Sequence, residues 1–237
     1  GLNGAQSVTI SPDGKHVYAT GYDDNAVAVF SRNSPLLVGL TYVEMQKDGV
    51  GGVDGLDGPT LVTVSPDGNH VYATGYDENS VAVFSRNSST GALTYVEMQK
   101  DGVNSVDGLE GALGITVSPD GNHVYATGDN DDAVAVFSRN SSTGALTYVE
   151  MQKDGVNSVD GLDGPTSVTI SPEGNHVYVA GNLDDAVAYN KYPHHRNWYN
   201  KLWLSEKLGY RCGPAGVNVL LAEEYIVRPV MNLEGMG

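Results

Sequence analysis

The sequence predicts an all-β protein, a β-propeller-like array of four four-stranded blades with the last blade incomplete, followed by a small α/β appendage. Three observations lead there. The tetrapeptide Ser-Pro-Asp/Glu-Gly recurs from Ser11, Ser65, Ser118 and Ser171, at spacings of 54, 53 and 53 residues. Each period holds four short apolar or alternating segments separated by turn residues. The composition, with 30 Gly and 14 Tyr against 3 Phe, suits many turns and short strands.

In the second copy the four strands are expected over residues 61–64 (A), 70–74 (B), 80–84 (C) and 93–99 (D). Val71 and Ala73, and Val81 and Val83, alternate with their neighbours, as strands with two distinct faces require. The A–B link is Ser65-Pro66-Asp67-Gly68-Asn69. Pro there presets φ and Gly supplies a positive φ, so the link is a tight turn. The one extra residue of the first copy falls where Ser34-Pro35-Leu36-Leu37-Val38-Gly39 replaces Ser88-Ser89-Thr90-Gly91-Ala92.

The ends break the pattern. Residues 1–10 align with residues 161–170, so the chain opens inside a D–A connection. The fourth copy keeps register through Ala188 and then reads Tyr189-Asn190-Lys191 where Val-Phe-Ser is expected. This leaves 15 of the 16 strands that four complete blades need. A vacant strand edge invites pairing, either by the C-terminal segment or by another chain.

Charge divides the chain into two expected domains, the repeats over 1–188 and an appendage over 189–237. The first carries 25 acidic against 7 basic side chains, the second 4 against 6. In the appendage Trp198, Tyr199, Leu202, Trp203 and Leu208 recur at helical spacing, with Gly209 as C-cap. Two strands follow over 217–221 and 225–231. The second is a candidate for the missing strand D, although Pro229 would delete a ladder donor.

The net charge of −16 speaks against nucleic acid and anionic membrane surfaces as partners. No apolar run approaches the roughly 20 residues of a membrane span, and residues 1–10 lack the basic and hydrophobic regions of a signal peptide. Cys212 is the sole cysteine, which excludes an intrachain disulfide.

Strand parity puts the B–C and D–A connections on one face, and these hold nearly all the acidic residues. Asp129, Asp131, Asp132, Asp160 and Asp163 are the candidate ligands for Ca²⁺, a cation that takes about six to eight oxygens. Their alternative role is as solvated loops that keep a repeat protein soluble. His16, His70, His123 and His176 each open strand B with a Ser five residues earlier, and are expected to lock the turn by bonding that Ser or the turn Asp. Four equivalent copies make a catalytic Ser/His/Asp reading poor, and no catalytic residue stands out. Neither His194-His195 nor Cys212 lies in a pattern that marks metal binding or nucleophilic chemistry. Trp198, Tyr199, Trp203 and Tyr225 form the expected interaction surface.

Residues 65–75, followed by Val-Ala-Val-Phe-Ser-Arg-Asn and Thr-Gly-Ala-Leu-Thr-Tyr-Val-Glu, resemble the YVTN-type and lactonase-like β-propeller repeats of bacterial proteins. The resemblance covers about residues 1–188. It implies a propeller fold, usually of seven blades, and a repeat style shared by lactonases, surface-layer proteins and binding proteins. The string from Trp198 through Val217, with Tyr225 onward, resembles the N-terminal part of uncharacterised tailed-phage proteins.

Near-identical repeats place the same side chains around an axis, whereas catalysis needs different groups converging on one centre. The sequence therefore favours a non-catalytic binding or structural module, extracellular, cell-surface or virion-associated, with a protein partner or self-association into an oligomer or filament. The alternative, which the resemblance implies, is a lactonase-like hydrolase acting on a sugar lactone.

Overall fold

The computed structural model describes residues 1–32, 39–191 and 203–207. These form 16 strands and, among the described residues, no helix. The first sheet is β1 (Ala5–Ile10), β2 (His16–Gly21), β3 (Ala26–Arg32) and β4 (Leu40–Lys47). The second is β5 (Pro59–Val64), β6 (His70–Gly75), β7 (Ser80–Arg86) and β8 (Leu93–Lys100). The third is β9 (Ala112–Val117), β10 (His123–Gly128), β11 (Ala133–Arg139) and β12 (Leu146–Lys153). The fourth is β13 (Pro165–Ile170), β14 (His176–Gly181), β15 (Ala186–Lys191) and β16 (Trp203–Lys207). Every sheet is antiparallel in chain order, as the four-strand period requires.

Local chemistry sets the strand ends. Gly68 takes φ 73° and its N–H donates to Ser65 O at 2.8 Å, closing the A–B turn. Ser65 Oγ donates to Asp67 Oδ1 at 2.6 Å and accepts the His70 N–H at 3.0 Å. The B–C hairpins turn through Asn25, Asn79, Asp132 and Asp185, each in the left-handed region that Asn and Asp tolerate. Strand D carries a bulge: Val83 faces Glu97 while Phe84 faces Tyr95, leaving Val96 as the extra residue.

The vacant strand position of the fourth sheet is filled from within the chain. Trp203–Lys207 pairs antiparallel with β15, placing Trp203 opposite Asn190 and Lys207 opposite Ala186. The helix expected over residues 197–208 is therefore corrected at 203–207 to a strand. Helical spacing is a weak local preference, and the open edge of β15 offers a row of unpaired N–H and C=O groups that a strand satisfies. Lys207 takes the register of Lys153, which stands opposite Ala133 in the third sheet. The strand expected over 225–231 lies outside the described residues.

The core lies between sheets. Tyr18, Val27 and Val29 of the first sheet pack with Val62, Val71 and Phe84 of the second, over Val53 and Leu56 from the connecting loop. The same set recurs one period later, and again between the third and fourth sheets except that Asn190 stands in the place of the Phe. Near the inner strands Thr20 Oγ1 donates to Thr60 O at 2.8 Å, and Thr74 Oγ1 to Leu113 O at 2.8 Å, tying the first sheet to the second and the second to the third.

A buried arginine fastens each of the first two junctions. Arg139 Nε donates to Tyr72 Oη at 2.7 Å, Nη1 to Gly121 O at 2.8 Å and Nη2 to Asp67 Oδ2 at 2.8 Å. Its Nη2 also lies 2.7 Å from His70 Nδ1. Burial and then the guanidinium charge lower the His70 pKa, so the ring is neutral and Nδ1 accepts. Tyr72 Oη in turn donates a hydrogen bond to Gly144 O at 2.9 Å. Arg86 repeats the arrangement with Tyr18, Gly68, Asp13 and His16. His16 and His70 thus serve as locks, but their rings bond an arginine of the next sheet and only their backbone bonds the turn Ser, whereas the His176 ring lies 3.5 Å from the turn acid Glu173. Gly91 (φ 80°), whose carbonyl accepts from Tyr18, leaves no room for a side chain, because a Cβ there would overlap the His16 ring.

Replacing Arg139 leaves Tyr72, His70 and Asp67 with an unmet partner at a buried seam. Arg139→Met is expected to cost about 2–4 kcal/mol, read as a lowered urea midpoint. Burial alone would raise the Asp67 carboxyl, but the Ser65 hydroxyl, the Asn69 N–H and Arg139 outweigh it and hold it below the usual range. The wild-type advantage is therefore present above the ordinary aspartate range and fades as pH falls through the depressed folded value.

Candidate functional site

The acid-rich face is built from two kinds of loop that meet at each junction. The D–A loop leaves the outer strand of one sheet and enters the inner strand of the next. Its Asp101 caps the loop by accepting the Leu109 N–H at 3.1 Å, and Leu109 is buried beneath. Asp48 and Asp154 do the same for Leu56 and Leu162, both at 3.0 Å. The B–C hairpin of the following sheet supplies a third acid, tied to the loop by a backbone N–H. Asp131 Oδ2 accepts from Glu110 at 2.9 Å, Glu78 Oε2 from Gly55 at 3.2 Å and Asp184 Oδ2 from Asp163 at 3.1 Å.

Three equivalent carboxylate groups result: Asp48, Asp54 and Glu78; Asp101, Asp107 and Asp131; Asp154, Asp160 and Asp184. Within each, one oxygen per residue lies within 4.8 Å of the others. Two groups have a cation at the rim, Lys100 Nζ at 3.0 Å from Glu78 Oε1 and Lys153 Nζ at 3.6 Å from Asp131 Oδ1. In each group the middle acid is exposed and its two companions are half-buried or more. Burial first, then the charges of Asp131 and Asp107, push the Asp101 carboxyl above its ordinary value. Burial, then Asp132 and Asp184, do the same to Asp163.

The five acids singled out in the sequence are shared among several places. Asp131 belongs to the group of the third sheet and Asp160 to that of the fourth. Asp163 lies beside the latter through its N–H to Asp184. Asp132 is a turn residue at φ 52° that accepts the Gly164 N–H at 3.0 Å. Asp129 falls in none of the three groups; its N–H donates to Gly111 O at 3.0 Å. Sequence reasoning put these loops on one face but did not pair acids across a junction. The signal was present as two acids six residues apart, at 48/54, 101/107 and 154/160. Of the expected interaction residues, Trp203 stands in β16, whereas Trp198, Tyr199 and Tyr225 lie outside the described residues, as do His194, His195 and Cys212.

Chemically, each group offers clustered carboxylate oxygens, one of them open to solvent. Such a set can accept a proton from water, or hold a hard cation such as Ca²⁺ with waters completing the shell. An ammonium beside two of the groups is placed to favour developing negative charge.

The family model described as lactonase, 7-bladed beta-propeller, matches residues 1–103 and 53–192. Among solved structures, a putative 6-phosphogluconolactonase from Bacteroides uniformis is 24% identical, with a TM-score of 0.65 over 85% of this chain and 53% of that one. A periplasmic gluconolactonase from Pseudomonas aeruginosa is 22% identical, with a TM-score of 0.66 over 86% of this chain and 54% of that one. The chain thus spans about half the length of these structures. No curated protein matches it in sequence. These findings favour the hydrolase over the non-catalytic module that the near-identical repeats suggested, and that reading is corrected. The family match outweighs the symmetry argument, and the repeats are not quite equal at these groups, where the hairpin acid is Glu78 in one and Asp131 and Asp184 in the others.

Asp101→Asn keeps an oxygen for the Leu109 N–H and removes a charge that the folded state disfavours. Because the folded pKa is raised, the wild type loses stability as pH climbs above the ordinary aspartate value of 3.8. The variant is expected to melt higher than wild type at pH 7, with the gain vanishing as pH falls below that value, followed by circular dichroism.

Proposed function

The chain belongs to the lactonase, 7-bladed beta-propeller family, and from that premise we propose that it is a lactonase-like hydrolase that opens a sugar lactone with water. The observation that carries the reading is the extent of the family match, which runs through all four sheets' repeats and includes every loop that bears a carboxylate group.

We assign the role to the group of the third sheet, whose Asp101 carboxyl is pushed up by burial and by its companions; like the group of the second sheet, it is held from both sides of a junction and has an ammonium at its rim. Asp107 is its exposed member and acts as the general base. It takes a proton from water as the oxygen adds to the lactone carbonyl carbon. Collapse of the tetrahedral intermediate breaks the ring C–O bond, and the proton returns to the departing ring oxygen, giving the open hydroxy acid. Lys153 offsets negative charge as it grows on the carbonyl oxygen. Asp101 and Asp131 position the base and keep the group electronegative. The same three carboxylates are the ones that would hold Ca²⁺, which would supply Lewis-acid polarisation of the carbonyl.

The test is hydrolysis of five- and six-membered aldonolactones, followed by acid release in a pH-stat with and without added Ca²⁺. Turnover above the spontaneous rate is expected, and Asp107→Asn should lower it about 10²-fold or more with the circular dichroism spectrum unchanged. No turnover with either ring size by the intact chain, or full activity in the Asn variant, would overturn the reading and the assignment of the base respectively.

A further inference from the structure

The junctions between consecutive sheets are built alike, and the molecule presents both halves of one more. In the second and third sheets Val62 and Ile115 are covered by the sheet before them and are 3% exposed, while their counterpart Val8 in the first sheet is 70% exposed. Ile10 and Tyr42 beside it are also exposed. On the far side, Tyr18 and Tyr72 are fully buried by the sheet that follows, while their counterpart Tyr178 in the fourth sheet is 37% exposed. Val187, the counterpart of the buried Val27 and Val81, is exposed with it.

The polar fastening is divided in the same way. Arg32 is the counterpart of Arg86 and Arg139, and each of those reaches back onto the preceding sheet. Arg32 keeps their bond within its own sheet, Nη1 to Gly14 O at 3.3 Å, but is exposed. The fourth sheet holds the matching acceptors. Glu173 stands where Asp13 and Asp67 stand, His176 Nδ1 lies 3.5 Å from Glu173 Oε1, and the His176 ring stacks on Tyr178 at 6.1 Å.

We infer that two copies of this chain associate head to tail, the fourth sheet of each on the first sheet of the other, with Arg32 of one copy on Glu173, His176 and Tyr178 of its mate. The occupant is a second copy because each exposed face is the mate of the other in apolar positions and in charge, and one chain carries both. It would continue an interface already present inside the molecule. Each copy has one face of each kind, so two copies satisfy both. This association does not depend on the lactonase reading.

The experiment is sedimentation of the intact chain with single and mixed charge reversals. Wild type is expected at twice the 25.0 kDa chain mass at micromolar concentration. R32E and E173R, both at exposed positions, are each expected to weaken association at least about tenfold while keeping the wild-type circular dichroism spectrum. Mixed in equal amounts they are expected to recover the double-mass species, since every seam then pairs opposite charges. A wild type that stays monomeric overturns the proposal, as does association that neither reversal weakens. Failure of the mixture to recover overturns the assigned seam.

Discussion

Everything in this molecule depends on the seam between consecutive sheets. No sheet has a core of its own. Tyr18, Val27 and Val29 are buried only because the second sheet lies on them, and Val62 and Phe84 only because the first does. A repeat of this kind cannot bury its faces alone, so folding is a matter of docking neighbours. The buried arginine sharpens this. Apolar faces alone would tolerate sliding, whereas a guanidinium that must meet a tyrosine oxygen, a carbonyl, a carboxylate and a neutral imidazole at once fixes the register of one sheet on the next.

The seam also makes the acidic face what it is. The connection from strand D to strand A crosses from one sheet to the next, so its acids arrive beside the B–C hairpin of a different repeat. Each carboxylate group is therefore assembled by docking and exists only where two sheets meet. Leu56, Leu109 and Leu162, buried under the loops, hold that crossing in place, and the capping aspartates above them are fixed by backbone N–H donors. Packing below and electrostatics above are two sides of one loop.

What was legible in the sequence was what repeats locally. The strands, the Ser-Pro-Asp-Gly turn and the face shared by the acidic loops follow from alternation, turn chemistry and parity, and they stand where the residues put them. What was not legible joins residues far apart. Arg86 and His16 are 70 positions distant, and nothing in either segment names the other. The pairing of Asp107 with Asp131 is hidden in the same way, because the sequence lists acids by loop and the structure groups them by seam. At β16 the local signal pointed the wrong way. The apolar spacing around Trp203 to Lys207 suits a helix, but a strand edge lies beside that segment in space, and the edge prevails.

Gly91 and Gly144 have a consequence for how such a chain can change over generations. Each lies against a histidine ring of the preceding repeat, His16 and His70 in turn, and neither place admits a Cβ without overlap. A substitution in one copy is thus felt first in its neighbour. Divergence of a single unit meets resistance from the unit beside it, and a duplicated segment that drifts must drift in step with the next. Steric coupling of that kind is one physical reason for tandem units to keep the same letters long after they were copied.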